Sequence, residues 1–481
     1  MRPCPRAAVI AALAAGTLAA LLGACALTPP APRADLPLAL HGSTAPTVPT
    51  VAREVEVIGH RGRLSAPERE RLLRRIAEQG NASLVQRHLL AMSAYGEVDL
   101  FAGNAAKLLI DGPQTFAAMF GAIEKARSTV LLESYIIEDA AIAQRLAALL
   151  ARKAAEGVRV AVLYDAVGSI GTDKGYFESL QRAGISVCAF NPLNPIKSGR
   201  TGYWDITHRD HRKILSVDRQ VAYTGGINIS AVYSSGSFGR RVEDDKQVAK
   251  DGWRDTQIEL RGPAAVALDE LVRQAWLQQK CRDPLPAPPP PPPAPAAAGP
   301  HVVRIIPSSP VDPFNRIYAL LLTAIDAAQR SVHLTMAYFA PGAEMVDALC
   351  DAAQRRVDVR LVLPSVSDFS PVLHAGRSYY DRLLGCGVQL FELQDAVLHS
   401  KTAVIDGVVS TVGSSNLDWR SFVGNNEVNA VVMGDDFGDA MERMFQRDLA
   451  ASQRISAESW ARRSLMQRAK QTLARLFEAW W

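Results

Sequence analysis

The sequence predicts an α/β protein built twice over, and three observations carry that prediction. Strand-like and helix-like runs alternate along two stretches of the chain, the pattern of helices covering a sheet. The pattern H-x-K-x4-D occurs at His211, Lys213 and Asp218 and again at His399, Lys401 and Asp406. A run rich in proline and alanine, residues 284–300, stands between the two copies. The histidines lie 188 residues apart, a period too long for a solenoid and suited to a duplicated domain.

Taken in order, the chain begins with Arg2 and Arg6 followed by an apolar run from Ala7 to Leu22. The run is short and alanine-rich for a membrane span and reads as a signal peptide. Leu22-Gly23-Ala24-Cys25 resembles a bacterial lipobox, which implies cleavage before Cys25 and a diacylglyceryl group on its sulfur. An ordinary cleaved signal and an uncleaved anchor are the alternatives. Residues 26–63 are rich in Pro, Ala and Thr without apolar period, so a flexible tether is expected. Ser65-Ala66-Pro67-Glu68 starts a helix, and Leu72, Leu73, Ile76, Leu84, Leu89 and Leu90 continue a helical preface through residue 107.

The first of the two units is expected over 108–283. A helix from Gln114, a buried strand at Val130-Leu131-Leu132, a helix from Ala140 and a second strand from Val158 alternate in turn. The same order returns in the second unit, 301–449, with strands from Arg330 and Val357 around a helix from Val346. Just before the first motif, residues 191–204 form a loop at the mouth of the site, where Tyr203 and Trp204 either meet lipid headgroups or pack beneath it. Residues 234–251 are polar and expected to be mobile. A basic amphipathic helix is expected over 450–481, closed by Trp480 and Trp481; it suits an anionic lipid surface or docks on the domain as a plain terminal helix.

The motif makes chemical sense at a strand. Side-chain alternation puts His211 with Lys213, and His399 with Lys401, on one face. After each comes a small-residue turn and an asparagine, Gly225-Gly226-Ile227-Asn228 and Gly413-Ser414-Ser415-Asn416. Two imidazoles, two ammoniums and two amides around one cavity describe a site for a phosphodiester, whose charge grows as it is attacked. His208 lies three residues before His211, but that spacing puts two rings on opposite faces of a strand and the second copy has no such partner, so no metal ligand is expected.

These residues resemble the phospholipase D superfamily and, within it, the bacterial cardiolipin synthases. Trp253-Arg254-Asp255-Thr256 and Asn426-Glu427-Val428-Asn429 extend the likeness, which spans residues 108–449. It implies two phospholipase D-like α/β domains, each a mixed sheet flanked by helices, with the active site at their interface. It implies one histidine as nucleophile, assigned by analogy to His211, and the other, His399, as acid. Lys213, Lys401, Asn228 and Asn416 would bind phosphoryl oxygens, while Asp255 and Glu427 would orient the rings. Asp218 and Asp406 belong to the motif but look structural, tying a turn. No metal or cofactor is implied. The implied reaction joins two phosphatidylglycerols into cardiolipin and releases glycerol; a phospholipase D-type hydrolase, a nuclease and an inactive lipid-binding lipoprotein are the alternatives.

The net charge of +4 is too mild to argue for a nucleic acid partner. The expected partners are an anionic phospholipid and the membrane surface, in the cell envelope facing the periplasm. Of six cysteines, Cys188 and Cys350 lie in apolar runs and are expected as buried free thiols, although a disulfide among Cys188, Cys281, Cys350 and Cys386 is open in an oxidising compartment.

Overall fold

The computed structural model describes residues 48–79, 85, 86, 89, 99–192, 207–237, 252–285, 297–312 and 314–478. The signal peptide with Cys25, Tyr203 and Trp204, residues 238–251, residues 286–296 of the proline-rich run, and Trp480 and Trp481 lie outside the described residues.

In chain order the elements are α1 (Val48–Glu54), β1 (Glu56–Gly59), β2 (Gly62–Arg63), α2 (Ala66–Glu78), β3 (Asp99–Ile110), α3 (Asp111–Glu124), β4 (Thr129–Ser134), α4 (Ala141–Ala155), β5 (Arg159–Asp165), α5 (Lys174–Arg182), β6 (Ser186–Phe190), β7 (Arg209–Asp210), β8 (Ile214–Val217), β9 (Val221–Gly225), β10 (Thr256–Arg261) and α6 (Pro263–Gln278). The second half supplies β11 (His301–Ser308), α7 (Arg316–Ala327), β12 (Ser331–Met336), α8 (Gly342–Gln354), β13 (Asp358–Pro364), α9 (Ser370–Arg377), α10 (Tyr380–Gly385), β14 (Gln389–Leu393), β15 (Lys401–Ile405), β16 (Val409–Gly413), α11 (Trp419–Val423), β17 (Asn425–Met433), α12 (Asp435–Ala450), β18 (Ser452–Ile455), α13 (Ala457–Ala461) and α14 (Leu465–Leu476).

The duplication is explicit in the strand order. In the first half β6, β5 and β4 run parallel, and β4 then pairs antiparallel with β8, β8 with β9, β9 with β10 and β10 with β3. The second half repeats this as β14, β13, β12, β15, β16, β17 and β11. Both sheets are mixed, because the βαβ crossovers make parallel pairs while the hairpins through the motif make antiparallel ones. The halves join edge to edge where β3 pairs antiparallel with β11, Phe101 opposite Val303 and Ala102 opposite Val302. All six residues of β4 and all nine of β17 are buried, as central strands covered by helices on both faces must be.

Several boundaries differ from the sequence expectation. The tether of 26–63 includes α1, β1 and β2, with Val51, Val55 and Val57 buried against Leu73 and Ile76 of α2. The preface does not stay helical to 107, because β3 starts at Asp99 and bridges both sheets; its Gly103, at φ 84°, sits where the register shifts. The tail is not one helix. β18 first completes the second sheet beside β14, and two helices follow. The free thiols are also corrected, since Cys188 is bonded to Cys281 and Cys350 to Cys386, with Cα–Cα separations of 5.7 and 5.3 Å. Apolar context predicted that Cys188 and Cys350 are buried, and they are; the partners are supplied by the chain ends of α6 and α10, which local sequence cannot place.

Candidate active site

The two motif histidines do not lie within strands, as alternation suggested, but just ahead of β8 and β15, where the chain enters the sheets. What fixes them is backbone pairing across the halves. β7 runs parallel to the start of β17, and His211 N–H donates to the Asn426 carbonyl at 3.0 Å. In the mirror arrangement Arg254 bridges Leu398, and His399 N–H donates to the Arg254 carbonyl at 2.8 Å. Each histidine is thus held to the residue immediately before the other half's carboxylate.

The side chains complete the exchange. His211 Nδ1 lies 3.0 and 3.1 Å from the two oxygens of Glu427. His399 Nδ1 lies 2.8 Å from Asp255 Oδ2. The pairing is crossed, so each motif histidine takes its carboxylate from the other half. With Nδ1 facing a carboxylate, each ring leaves Nε2 for other chemistry. Buried arginines brace the carboxylate-bearing segments: Arg254 holds Asp448 through two hydrogen bonds of 2.7 and 2.9 Å, and Arg209 lies 3.5 Å from Asp165.

The lysines return to their own histidines. Lys213 Nζ donates to the His211 carbonyl at 2.5 Å; Lys401 Nζ donates to the His399 carbonyl and lies 2.9 Å from His399 Nδ1. The asparagines sit beside them. Asn228 Oδ1 accepts from Ile136 N–H at 3.1 Å, whereas Asn416 Oδ1 is buried without a protein partner. The preceding turn needs a residue without a side chain at Gly226, where a Cβ would collide with the Asp255 carboxylate. At the matching place the second half has Ser414, whose hydroxyl donates to Glu427 Oε2 at 2.6 Å.

Asp218 and Asp406 are not brought to this cluster. Asp218 accepts from the backbone N–H groups of Arg127, Ser128 and Thr129 at 2.8, 2.7 and 2.8 Å. Asp406 does the same for Gln329, Arg330 and Ser331 at 3.0, 2.8 and 2.9 Å. Both stand at positive φ, 54° and 52°, and tie the hairpin turn of the motif to the start of the neighbouring strand. Members of the motif by sequence, they are structural in position, as their place at a turn suggested, and do not join the catalytic residues.

Burial sets the electrostatics. It holds His211 well below the usual imidazole range, helped by Lys213, Lys401, His399 and Arg420. His399 is lowered too, first by burial and then by Lys401, against an opposing pull from Asp255. Burial brings Lys213 down to about 7 and Lys401 to about 8, each partly offset by the carboxylates, and raises Glu427 to about 7. The four motif side chains therefore lie within electrostatic reach of one another, each of them buried. Two poorly solvated ammoniums beside two neutral rings form a socket that an anion would charge and stabilise.

Several members of the site were not singled out by sequence reasoning. Tyr233 OH lies 3.1 Å from His399 Nδ1 and breaks the symmetry, since the residue at the same offset from Asn416 is Ser421. Tyr135 packs edge-on to His211 at 4.9 Å and lies 5.1 Å from Lys213 Nζ. Tyr338 stands 6.4 Å from His399 and donates to Asp368 at 2.7 Å, whereas its neighbour Phe339 is buried in the second core. The one signal available beforehand was position, since Tyr135 and Tyr338 both follow the first strand of a repeat. His208 Nε2 lies 2.9 Å from Asn426 Oδ1.

Residues 119–239 and 321–449 match the family model described as "Cardiolipin synthase, PLD-like domain". A cardiolipin synthase A of Pseudomonas fluorescens is 33% identical over 395 residues, covering 82% of this chain and 79% of that protein. A cardiolipin synthase of Geobacillus kaustophilus is 33% identical over 393 residues, covering 81% and 75%. Among solved structures, the phosphatidylserine synthase of Haemophilus influenzae is similar in fold, with a TM-score of 0.56 at 11% identity over 77% of this chain and 92% of that one.

Proposed function

The chain belongs to the cardiolipin synthase family of phospholipase D-like proteins, and from that premise we propose that it is a phosphatidyltransferase joining two phosphatidylglycerols into cardiolipin with release of glycerol. The observation that carries the mechanism is the crossed pair of imidazole–carboxylate contacts, His211 with Glu427 and His399 with Asp255.

His211, held neutral by burial and by the cations around it, is assigned by family analogy as the nucleophile that attacks phosphorus through Nε2. The bond from phosphorus to the headgroup glycerol breaks, and His399, neutral before substrate binds but charged once the anionic phosphodiester adds its pull to that of Asp255, gives its proton to the departing oxygen. A hydroxyl of the second phosphatidylglycerol then attacks the phosphohistidine. His399 takes that hydroxyl proton and the phosphorus–His211 bond breaks, restoring both rings. The anionic phosphodiester favours the charged forms of Lys213 and Lys401, which with Asn228 and Asn416 neutralise its non-bridging oxygens. Glu427 stabilises the phosphorylated ring, which carries a positive charge while Nδ1 keeps its proton.

The lipobox-like sequence ending at Cys25 makes the protein a lipoprotein held at a periplasmic membrane surface in this reading. The two disulfides support export, because such bonds persist in oxidising compartments. Among the described residues no helix is long and apolar enough to cross a membrane. Radiolabelled palmitate should enter the wild-type chain and be lost in Cys25→Ala.

The test of the reaction is direct. Purified protein is incubated with phosphatidylglycerol in detergent, and lipids and glycerol are followed by mass spectrometry. Cardiolipin with equimolar glycerol supports the transferase; phosphatidic acid alone makes it a hydrolase. His211→Ala and His399→Ala each abolish turnover and EDTA leaves it intact; full activity in either variant, or loss to the chelator, overturns the mechanism.

A further inference from the structure

Ten large apolar side chains are exposed among the described residues, and seven of them fall in two places. The first is the mouth of the active site. Ile170 (68% exposed) and Phe369 (40%) hold equivalent positions in the two repeats, five residues past β5 and β13. The Ile170 loop seats Gly168 against the backbone of Tyr135, the ring beside His211. The Phe369 loop carries Asp368, which accepts from Tyr338, the ring beside His399. Val423 (37%) ends α11, the helix that presents the exposed Arg420 toward His211. Apolar tips therefore stand on both sides of the cleft.

The second place is α14. α9, which starts directly after Phe369, packs against α14. The buried side of α14 is small or polar: Ala474 lies against Val372 and Ala375 of α9, and Gln471 is buried with it. Its long apolar residues point the other way, with Leu465, Met466, Leu473 and Leu476 at 83, 66, 59 and 69% exposure. At 3.6 residues per turn these four fall within an arc of about 100°, opposite Gln471 and Ala474. A helix docked on a soluble domain turns its apolar stripe inward; this one turns it outward. Exposed Arg468 and Lys470 flank the stripe on either side, and α14 contains no acidic residue.

We propose that the cleft mouth and the outer stripe of α14 form one docking face for an anionic phospholipid bilayer, so that headgroups meet the active site while α14 lies in the interface. On α14, apolar residues flanked by cations and free of carboxylates match such a surface in both polarity and charge. The choice of a bilayer rests on the proposed phospholipid substrate. It answers a question of delivery, because a phosphodiester must leave the plane of the membrane only slightly to reach a cleft pressed against it.

The test uses the full chain with Cys4 and Cys25 replaced by serine and an environment-sensitive fluorophore placed by Phe369→Cys, Met466→Cys or Leu473→Cys, with Leu277→Cys on α6 as the reference. On vesicles containing phosphatidylglycerol, labels at 369, 466 and 473 gain emission and are quenched by brominated lipid, while the label at 277 is not. Arg468→Gln combined with Lys470→Gln weakens vesicle binding about thirtyfold, the expected effect of two interfacial cations. The proposal is overturned if labels at 466 and 473 stay in water on bound protein. It is equally overturned if they are already shielded before vesicles are added, which would make the stripe a contact with another copy. Equal binding to phosphatidylcholine vesicles refutes the anionic preference. None of these readouts needs turnover, so immersion without cardiolipin formation would sink the assigned reaction and leave the docking face standing.

Discussion

Replacing Glu427 by glutamine isolates what the crossed carboxylate contributes. Glu427 is fully buried, lies 3.0 and 3.1 Å from His211 Nδ1 and also accepts from Ser414. Glutamine keeps the shape and one acceptor oxygen toward His211, so the ring stays in place while the charge and one of two acceptors are lost. A hydrogen bond to a charged group contributes about 1.5–3 kcal/mol against about 0.5–1.5 for a neutral one, a difference of about 1–2 kcal/mol. If that difference is expressed when the ring is phosphorylated, kcat falls about 5–30-fold. A second effect runs through Lys213. Glu427 is the main influence holding that ammonium up at about 7, so the variant has a Lys213 that loses its proton at lower pH, and the alkaline limb of activity moves toward acid. The assay is glycerol release against pH. A kcat within twofold of wild type with an unmoved limb would refute the role of the charge. A loss as complete as that of His211→Ala, in protein with unchanged circular dichroism, would mean that Glu427 moves a proton instead of stabilising a charge.

Tyr233→Phe removes the hydroxyl 3.1 Å from His399 Nδ1 while keeping the ring, and should lower kcat about 2–10-fold with little change in KM, read alongside a shifted pH profile. Cys188→Ser with Cys281→Ser opens a 93-residue loop and should cost about 4–5 kcal/mol; Cys350→Ser with Cys386→Ser opens a 36-residue loop and should cost about 4 kcal/mol, both measured by urea unfolding. The buried lysines give a pH signature with a definite sign. Their folded values of about 7 and 8 lie below that of a free lysine, so the native state binds fewer protons and the unliganded protein gains stability as pH rises from about 7 toward 10. Lys213→Met should flatten that rise in thermal melts, and an unchanged slope would show that the ammonium is better solvated than its burial implies.

The sequence by itself determined the duplication, the alternation of strands and helices, and the residue types of the site. Within H-x-K-x4-D the strand that follows the lysine is legible locally, whereas the backbone N–H groups that the aspartate holds, those of Arg127, Ser128 and Thr129, come from a distant part of the chain. A repeat matched at 188 residues is visible without coordinates. Partnership across the repeats is not. That His211 leans on Glu427 and His399 on Asp255, that Tyr233 reaches the second histidine, and that Cys188 meets Cys281 all depend on contacts between distant segments, which no local period encodes. Helical spacing placed Leu465, Met466, Leu473 and Leu476 on one side of α14, but only packing against α9 decided that this side faces outward. Periodicity states which side chains share a face; burial, a property of the assembled molecule, states where that face points.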